Sequence, residues 1–118
     1  MNISIKGTGR ELSSDDRALI EKKLAVLGKF TGEGPSLLSF EIEESIGVVR
    51  SGAKYRAEGT LSVDGKVFRA EAASDTLEGA MDRVRDELAR ELRRFRGRAR
   101  DLFRRGSARV KDWFRFGR

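Results

Sequence analysis

The chain contains no cysteine and no histidine, and only one proline, one tryptophan and one tyrosine. Without cysteine there is no disulfide framework, no thiolate zinc site and no cysteine nucleophile. Without histidine the commonest general base is gone, and with both missing so are most transition-metal sites. The expectation is a protein that is not an enzyme and holds no metal or cofactor. No run approaches the ~18 apolar residues of a membrane-spanning helix. The start, MNISIKGTGRELSS, has neither an apolar core nor a cleavage site of small residues, so it does not read as a signal peptide. A soluble, cytoplasmic protein is expected.

What is present is charge, unevenly placed. The chain has 118 residues, with Lys plus Arg 25, Asp plus Glu 19 and a formal net charge of +6. That length suits one domain, whose core can remove roughly two-thirds of the unfolded surface from water. Residues 1–96 hold 17 basic and 17 acidic side chains, whereas 97–118 hold eight basic and two acidic. The chain therefore divides into a neutral body, 1–96, and a basic aromatic tail, 97–118. That distribution points to a polyanionic partner, either nucleic acid or an anionic membrane.

Asn2–Lys6 alternates, with Ile3 and Ile5 on one side, and predicts a strand. Ser13 before Asp15 and Asp16 is a helix start, and Ile20, Leu24 and Leu27 share one helical face, with Leu19 beside them. A helix is expected over about Ser14–Phe30, ended by Thr31-Gly32-Glu33-Gly34-Pro35. Leu38, Phe40 and Ile42 alternate with Ser39, Glu41 and Glu43 in a half-buried strand. Ser45–Gly52 could extend that strand or form a loop. From Ala53, Tyr55, Ala57, Leu61 and Val63 share a face, and Asp64-Gly65 is a two-residue hairpin signal. That turn pairs Val63 with Lys66, Leu61 with Phe68, Gly59 with Ala70 and Ala57 with Ala72, so the apolar sides agree. Asp75 and Glu78 are spaced as a capping box for a second helix, on which Leu77, Met81, Val84, Leu88, Leu92 and Phe95 form a continuous stripe. The order is β-α-β-β-β-α. It predicts an α+β two-layer sandwich: a four-stranded mixed sheet with both helices on one face.

Opposite the apolar stripe of the second helix lie Arg83, Arg90, Arg93 and Arg94, with Arg85 and Arg96 at its flanks. On the first helix Lys22, Lys23 and Lys29 lie off the apolar face or at its edge. Side by side, the two helices would present these cations as one surface. Guanidinium forks match phosphate oxygens in pairs, which favours an RNA contact. Asp82, Asp86, Glu87 and Glu91 stand among the arginines, so a solvated face of ion pairs is the competing reading. Past Glu91 the cations Arg93, Arg94, Arg96, Arg98 and Arg100 accumulate with no acid until Asp101. In the tail, Arg104, Arg105, Arg109 and Lys111 are interleaved with Trp113 and Phe114. This is the composition of a segment that grips a phosphate backbone and stacks on unpaired bases. Packing against the body, disorder or a membrane-surface helix would use similar residues.

Catalytic constellations are weak. Glu58 and Glu71 can face each other across the hairpin, but Arg56 and Arg69 lie diagonal to them, and a charge-laced open sheet surface explains all four. Gly7-x-Gly9 lacks the further glycine or Lys-Ser/Thr of a phosphate loop.

Four stretches carry a resemblance: MNISIKG at the start, IEKKLAVLGKF (Ile20–Phe30), DGKVFRAEAAS (Asp64–Ser74) and AMDRVRDELARELRR (Ala80–Arg94). In order and spacing these resemble the ribosome hibernation-promoting factors, the family that includes the ribosome-associated inhibitor and the sigma-54 modulation proteins. The resemblance covers about residues 1–96. It implies a β-α-β-β-β-α fold and a translation inhibitor active under stress. Such a protein docks in the decoding groove of the small ribosomal subunit, on ribosomal RNA, across the messenger path and the A- and P-site tRNA positions. Carried over by position, Lys22 and Lys23 fall in the family's Glu-Lys-Lys-Leu run, and Arg90, Arg93, Arg94 and Arg96 on its basic second-helix positions. Glu87 departs from the pattern, standing where relatives often carry lysine. The resemblance is to the short form, without the dimerisation domain that pairs ribosomes, and implies no small-molecule substrate and no membrane. A general module for structured RNA and a transcription-modulating adaptor are the alternative functions.

Overall fold

Alternation and turn chemistry settle the sheet. The computed structural model of the chain describes residues 1–32, 34–45 and 53–104, with 98–104 as backbone alone. Strand β1 (Asn2–Thr8) turns Ile3 and Ile5 inward. It runs two residues beyond the expected Lys6 because its parallel pairing with β2 (Ser36–Glu44) continues through Gly7↔Ile42 and Thr8↔Glu43. Strands β3 (Tyr55–Val63) and β4 (Lys66–Ser74) complete a mixed sheet of order β1-β2-β3-β4. The hairpin register is the expected one, Val63↔Lys66 through Ala57↔Ala72. Asp64 and Gly65 sit at φ 49° and 77°, the left-handed pair that a two-residue turn of matching twist requires. Positions 46–52, where strand and loop stood open, lie outside the described residues.

Helix α1 (Ser14–Leu24) begins as expected at Ser13. The Ser13 hydroxyl accepts from the Asp16 amide at 3.0 Å, and the Asp16 carboxylate accepts from the Ser13 amide at 3.1 Å. The helix does not continue to Phe30 in α form, because Ala25–Phe30 winds into a 3-10 helix. Val26 and Gly28 are poor α-helical residues, and the tighter winding still buries Leu27 completely. The Thr31 hydroxyl then donates to the Gly28 carbonyl at 3.1 Å, and Gly32 at φ 73° turns the chain.

Helix α2 (Leu77–Arg104) returns across β3 and β4. Its cap differs from the expected Asp75–Glu78 box. Thr76 holds the position, its hydroxyl accepting from the Gly79 amide at 3.0 Å. The Ser74 hydroxyl meets the Thr76 amide at 3.4 Å, and the neighbouring Asp75 carboxylate bonds Ser74 instead. The expected stripe is the buried face: Met81, Val84, Leu88 and Leu92 have no exposure. They close on Leu38, Phe40, Ile42, Ala57 and Leu61 from the sheet, beside Ile20, Leu24 and Leu27 from the first helical segment. The helix comes so close to β3 that a Cβ on Gly59 would stand 2.9 Å from Val84 Cγ1 and 3.0 Å from Leu88 Cδ1. Both helices lie on one face, as the α+β sandwich requires, and α2 continues unbroken past residue 96 to Arg104.

Candidate nucleic-acid interface

The helices lie side by side, and a lysine joins them. Lys23 on α1 reaches Asp82 on α2 at 2.9 Å and Glu78 at 3.6 Å. Hydrogen bonding to Asp82 raises its pKa despite partial burial. Its position in the expected RNA set is therefore filled by a residue already committed to the helix–helix seam.

Most of the other expected cations on the described surface are also committed. Arg96 is the extreme case: it donates to the Phe30 carbonyl at 3.2 Å, the Thr31 carbonyl at 2.6 Å and the Asp64 carboxylate at 3.2 Å. It ties α2 to the end of the 3-10 helix and to the β3–β4 turn, and its side chain is only 30% exposed. Arg83 donates to the Ala73 carbonyl at 2.8 Å. Arg90 pairs with Glu87, the residue that departs from the family pattern, and Arg94 with Glu91 at 3.4 Å. Arg85 lies between Asp82 and Asp86 at 3.2 and 2.9 Å.

Three expected residues remain: Lys22, Lys29 and Arg93 are exposed and make no hydrogen bond or ion pair among the described residues. Arg93 instead places its guanidinium carbon 5.6 Å from the centroid of the Phe30 ring. The cause lies in the sequence. Arg90 and Arg94 each have a glutamate three residues earlier, whereas Arg93 has Arg90 and Ala89 at three and four residues before it, and Arg96 and Gly97 after it. No carboxylate is within helical reach. Phe30 and Asp64 are the participants the sequence reading missed, because their partners lie more than thirty positions away. Arg98, Arg100 and Arg104 lie on the described backbone of α2, while Arg105, Arg109, Lys111, Trp113 and Phe114 lie outside the described residues.

The open face of the sheet carries the mixed charge expected of it. Arg56 pairs with Glu71 at 2.7 Å and Glu58 at 3.2 Å, and Arg69 lies 3.9 Å from Glu58. At the sheet end, Arg10 joins Asp16 and Glu44 at 3.3 and 3.4 Å, and Lys54 joins Glu44 at 3.3 Å. Every carboxylate in these groups meets a cation, an arrangement suited to holding charge on a folded surface rather than to acid–base chemistry. Among the described residues no group of acids is disposed to hold a metal ion, and no helix is long and apolar enough to cross a membrane.

A small α+β sandwich with cations gathered on its paired helices is the class of protein that this fold and surface define. The family model described as "Sigma 54 modulation protein / S30EA ribosomal protein" matches residues 3–100, and the chain belongs to that family. Among solved structures it is similar to the N-terminal domain of Protein Y from Thermus thermophilus, with 29% identity, a TM-score of 0.68, and coverage of 80% of this chain and 99% of that one. It also resembles a ribosomal subunit interface protein from Coxiella burnetii, with 22% identity, a TM-score of 0.63, and coverage of 82% and 99%, a likeness that carries the fold. No curated protein matches the chain.

Proposed function

We propose that the chain is a translation inhibitor that binds the small ribosomal subunit in the cytoplasm. Its paired helices face ribosomal RNA in the decoding groove, where they exclude messenger and tRNA. The observation that carries this reading is membership, across residues 3–100, of a family described as ribosomal. The surface supports an RNA partner at Lys22, Lys29 and Arg93, whose charges no carboxylate offsets among the described residues. Arg90 and Arg94 are exposed and can exchange their glutamates for phosphates, since pairs in water hold weakly. Within this reading residues 1–96 dock, and 97–118 add sequence-independent contacts through their arginines and aromatics.

Sedimentation of cell extract at graded salt tests the proposal. Comigration with small subunits or whole ribosomes is the expected result. A diffuse distribution over RNA would favour a general RNA-binding module, and absence from both would favour a protein adaptor. Purified small subunits should lose messenger and tRNA binding when the chain is added. Replacing Arg90, Arg93 and Arg94 with glutamine should leave the fold intact, weaken ribosome binding and flatten its salt dependence.

A further inference from the structure

We infer that Arg93 and Phe30 form a stacking platform for an unpaired nucleobase. The inference rests on the RNA-binding reading above and gives it a chemical preference. Phe30 ends the 3-10 helix half-buried, with part of its ring packed against the core. The Arg93 guanidinium carbon lies over that ring at 5.6 Å from the centroid, and the residue is exposed. A guanidinium is planar and weakly hydrated, and it stacks on aromatic faces while its N–H groups point outward in its own plane. With Phe30 on one side of an exposed guanidinium, the other side is where a base would stack. A base placed there completes a ring–guanidinium–base column, an arrangement that single-stranded RNA can enter because its bases can be splayed out. The in-plane N–H groups remain directed at a phosphate. Lys29, exposed and adjacent to Phe30 in the chain, supplies a cation for the next one. Bases inside a duplex have both faces occupied and cannot use the platform. Neighbouring Arg90 and Arg94 lie over no aromatic ring among the described residues and pair with glutamates.

A double-mutant cycle between the arginine and the base tests this. The probes are a short unstructured RNA oligonucleotide and a strand of the same length with every base removed, so that backbone charge is constant. The full chain binds each as wild type, as Arg93→Lys, which keeps the charge but not the plane, and as Phe30→Leu, with thermal melts confirming that both variants fold. Wild type should lose affinity when the bases are removed. Arg93→Lys should bind the intact strand about 5- to 150-fold more weakly, the range of one stacked base, and lose distinctly less on the abasic strand, where only its phosphate contact changes. Phe30→Leu should shift in the same direction. If wild type binds RNA but Arg93→Lys weakens both strands equally, or neither, the platform is refuted and the RNA reading stands. If wild type binds neither strand and no small subunits, both fall together.

Discussion

Replacing Arg96 with alanine separates an arginine that holds the fold from arginines that face outward, within one basic run. The side chain makes three charge-assisted bonds, to the Phe30 and Thr31 carbonyls and the Asp64 carboxylate. A net hydrogen bond contributes about 0.5–1.5 kcal/mol, and more when one partner is charged. Here the Arg96 and Asp64 side chains keep 30% and 24% exposure. Water can therefore replace part of what is lost at the carboxylate, whereas Thr31, which supplies one of the carbonyls, is only 2% exposed. The expected cost of Arg96→Ala is about 1–3 kcal/mol. Arg94→Ala, which removes one exposed pair with Glu91, should stay within about 0.5 kcal/mol of wild type. Urea unfolding of both variants measures the difference. A cycle with Asp64→Asn, which tolerates the positive φ of 49°, isolates the carboxylate's share. An Arg96→Ala loss below about 0.5 kcal/mol would refute the tie between α2 and the hairpin.

Leu88, fully buried at the centre of the α2 stripe, should cost about 2–5 kcal/mol on truncation to alanine; a loss of a few tenths in a denaturant titration would mean the helix does not pack as described. Gly59→Ala should destabilise by about 1–2 kcal/mol, because the added methyl meets Val84 at 2.9 Å and Leu88 at 3.0 Å, and this outweighs the small strand gain from losing glycine; an unchanged or raised melting temperature would contradict that close approach. Asp16 is held below the usual carboxylate range, first by the Ser13 amide and then by Arg10; burial pushes Glu44 up, but Lys54 and Arg10 outweigh it and lower it. Both folded pKa values lie below the unfolded ones, so their stabilisation is complete above the ordinary carboxylate range and is lost as pH falls through the folded values. Melting temperature should therefore drop on acidification, less steeply in Arg10→Gln, and an identical acid profile in that variant would discount the network.

What the sequence made legible was local or periodic. The Asp64-Gly65 turn fixes its own register, because a two-residue loop permits one pairing and a slip would turn Leu61 and Ala57 outward. The α2 stripe is legible because six apolar residues recur at helical steps. The change to 3-10 winding at Ala25 was not read, although Val26 and Gly28 are poor α-helical residues, because the apolar spacing of Ile20, Leu24 and Leu27 runs on through it. Thr76 displaced Asp75 as the cap by a choice among adjacent cap formers that composition does not decide. The candidate interface was legible only as a set of cations. Which of them are spent inside the molecule depends on contacts such as Arg96 with Phe30, 66 positions apart, and Lys23 with Asp82, 59 apart. No local pattern announces these.

The neutrality of residues 1–96 bears directly on how such a body can bind a polyanion. Glu87, Glu91 and Asp82 each sit beside a helix cation. An incoming phosphate can take the cation, because the exposed pair it replaces is worth little in water. The carboxylate does not leave, however, and its repulsion remains at the interface. Long-range attraction is correspondingly small, and a cation beside its own acid adds less to binding than one standing alone. In the proposed complex, net electrostatic gain would therefore concentrate at Lys29 and Arg93, at the end of the 3-10 helix and on α2, and at Lys22 in the last turn of α1. Under the proposed RNA-binding function, such a body would discriminate by fit, gaining from an RNA surface whose phosphates and open bases meet those positions and little from polyanions at large. The salt dependence of binding by residues 1–96 should then correspond to fewer phosphates than the helices have cations. Whatever steep, sequence-indifferent attraction the full chain shows should reside in the arginine-rich residues 97–118, which carry its whole net charge of +6.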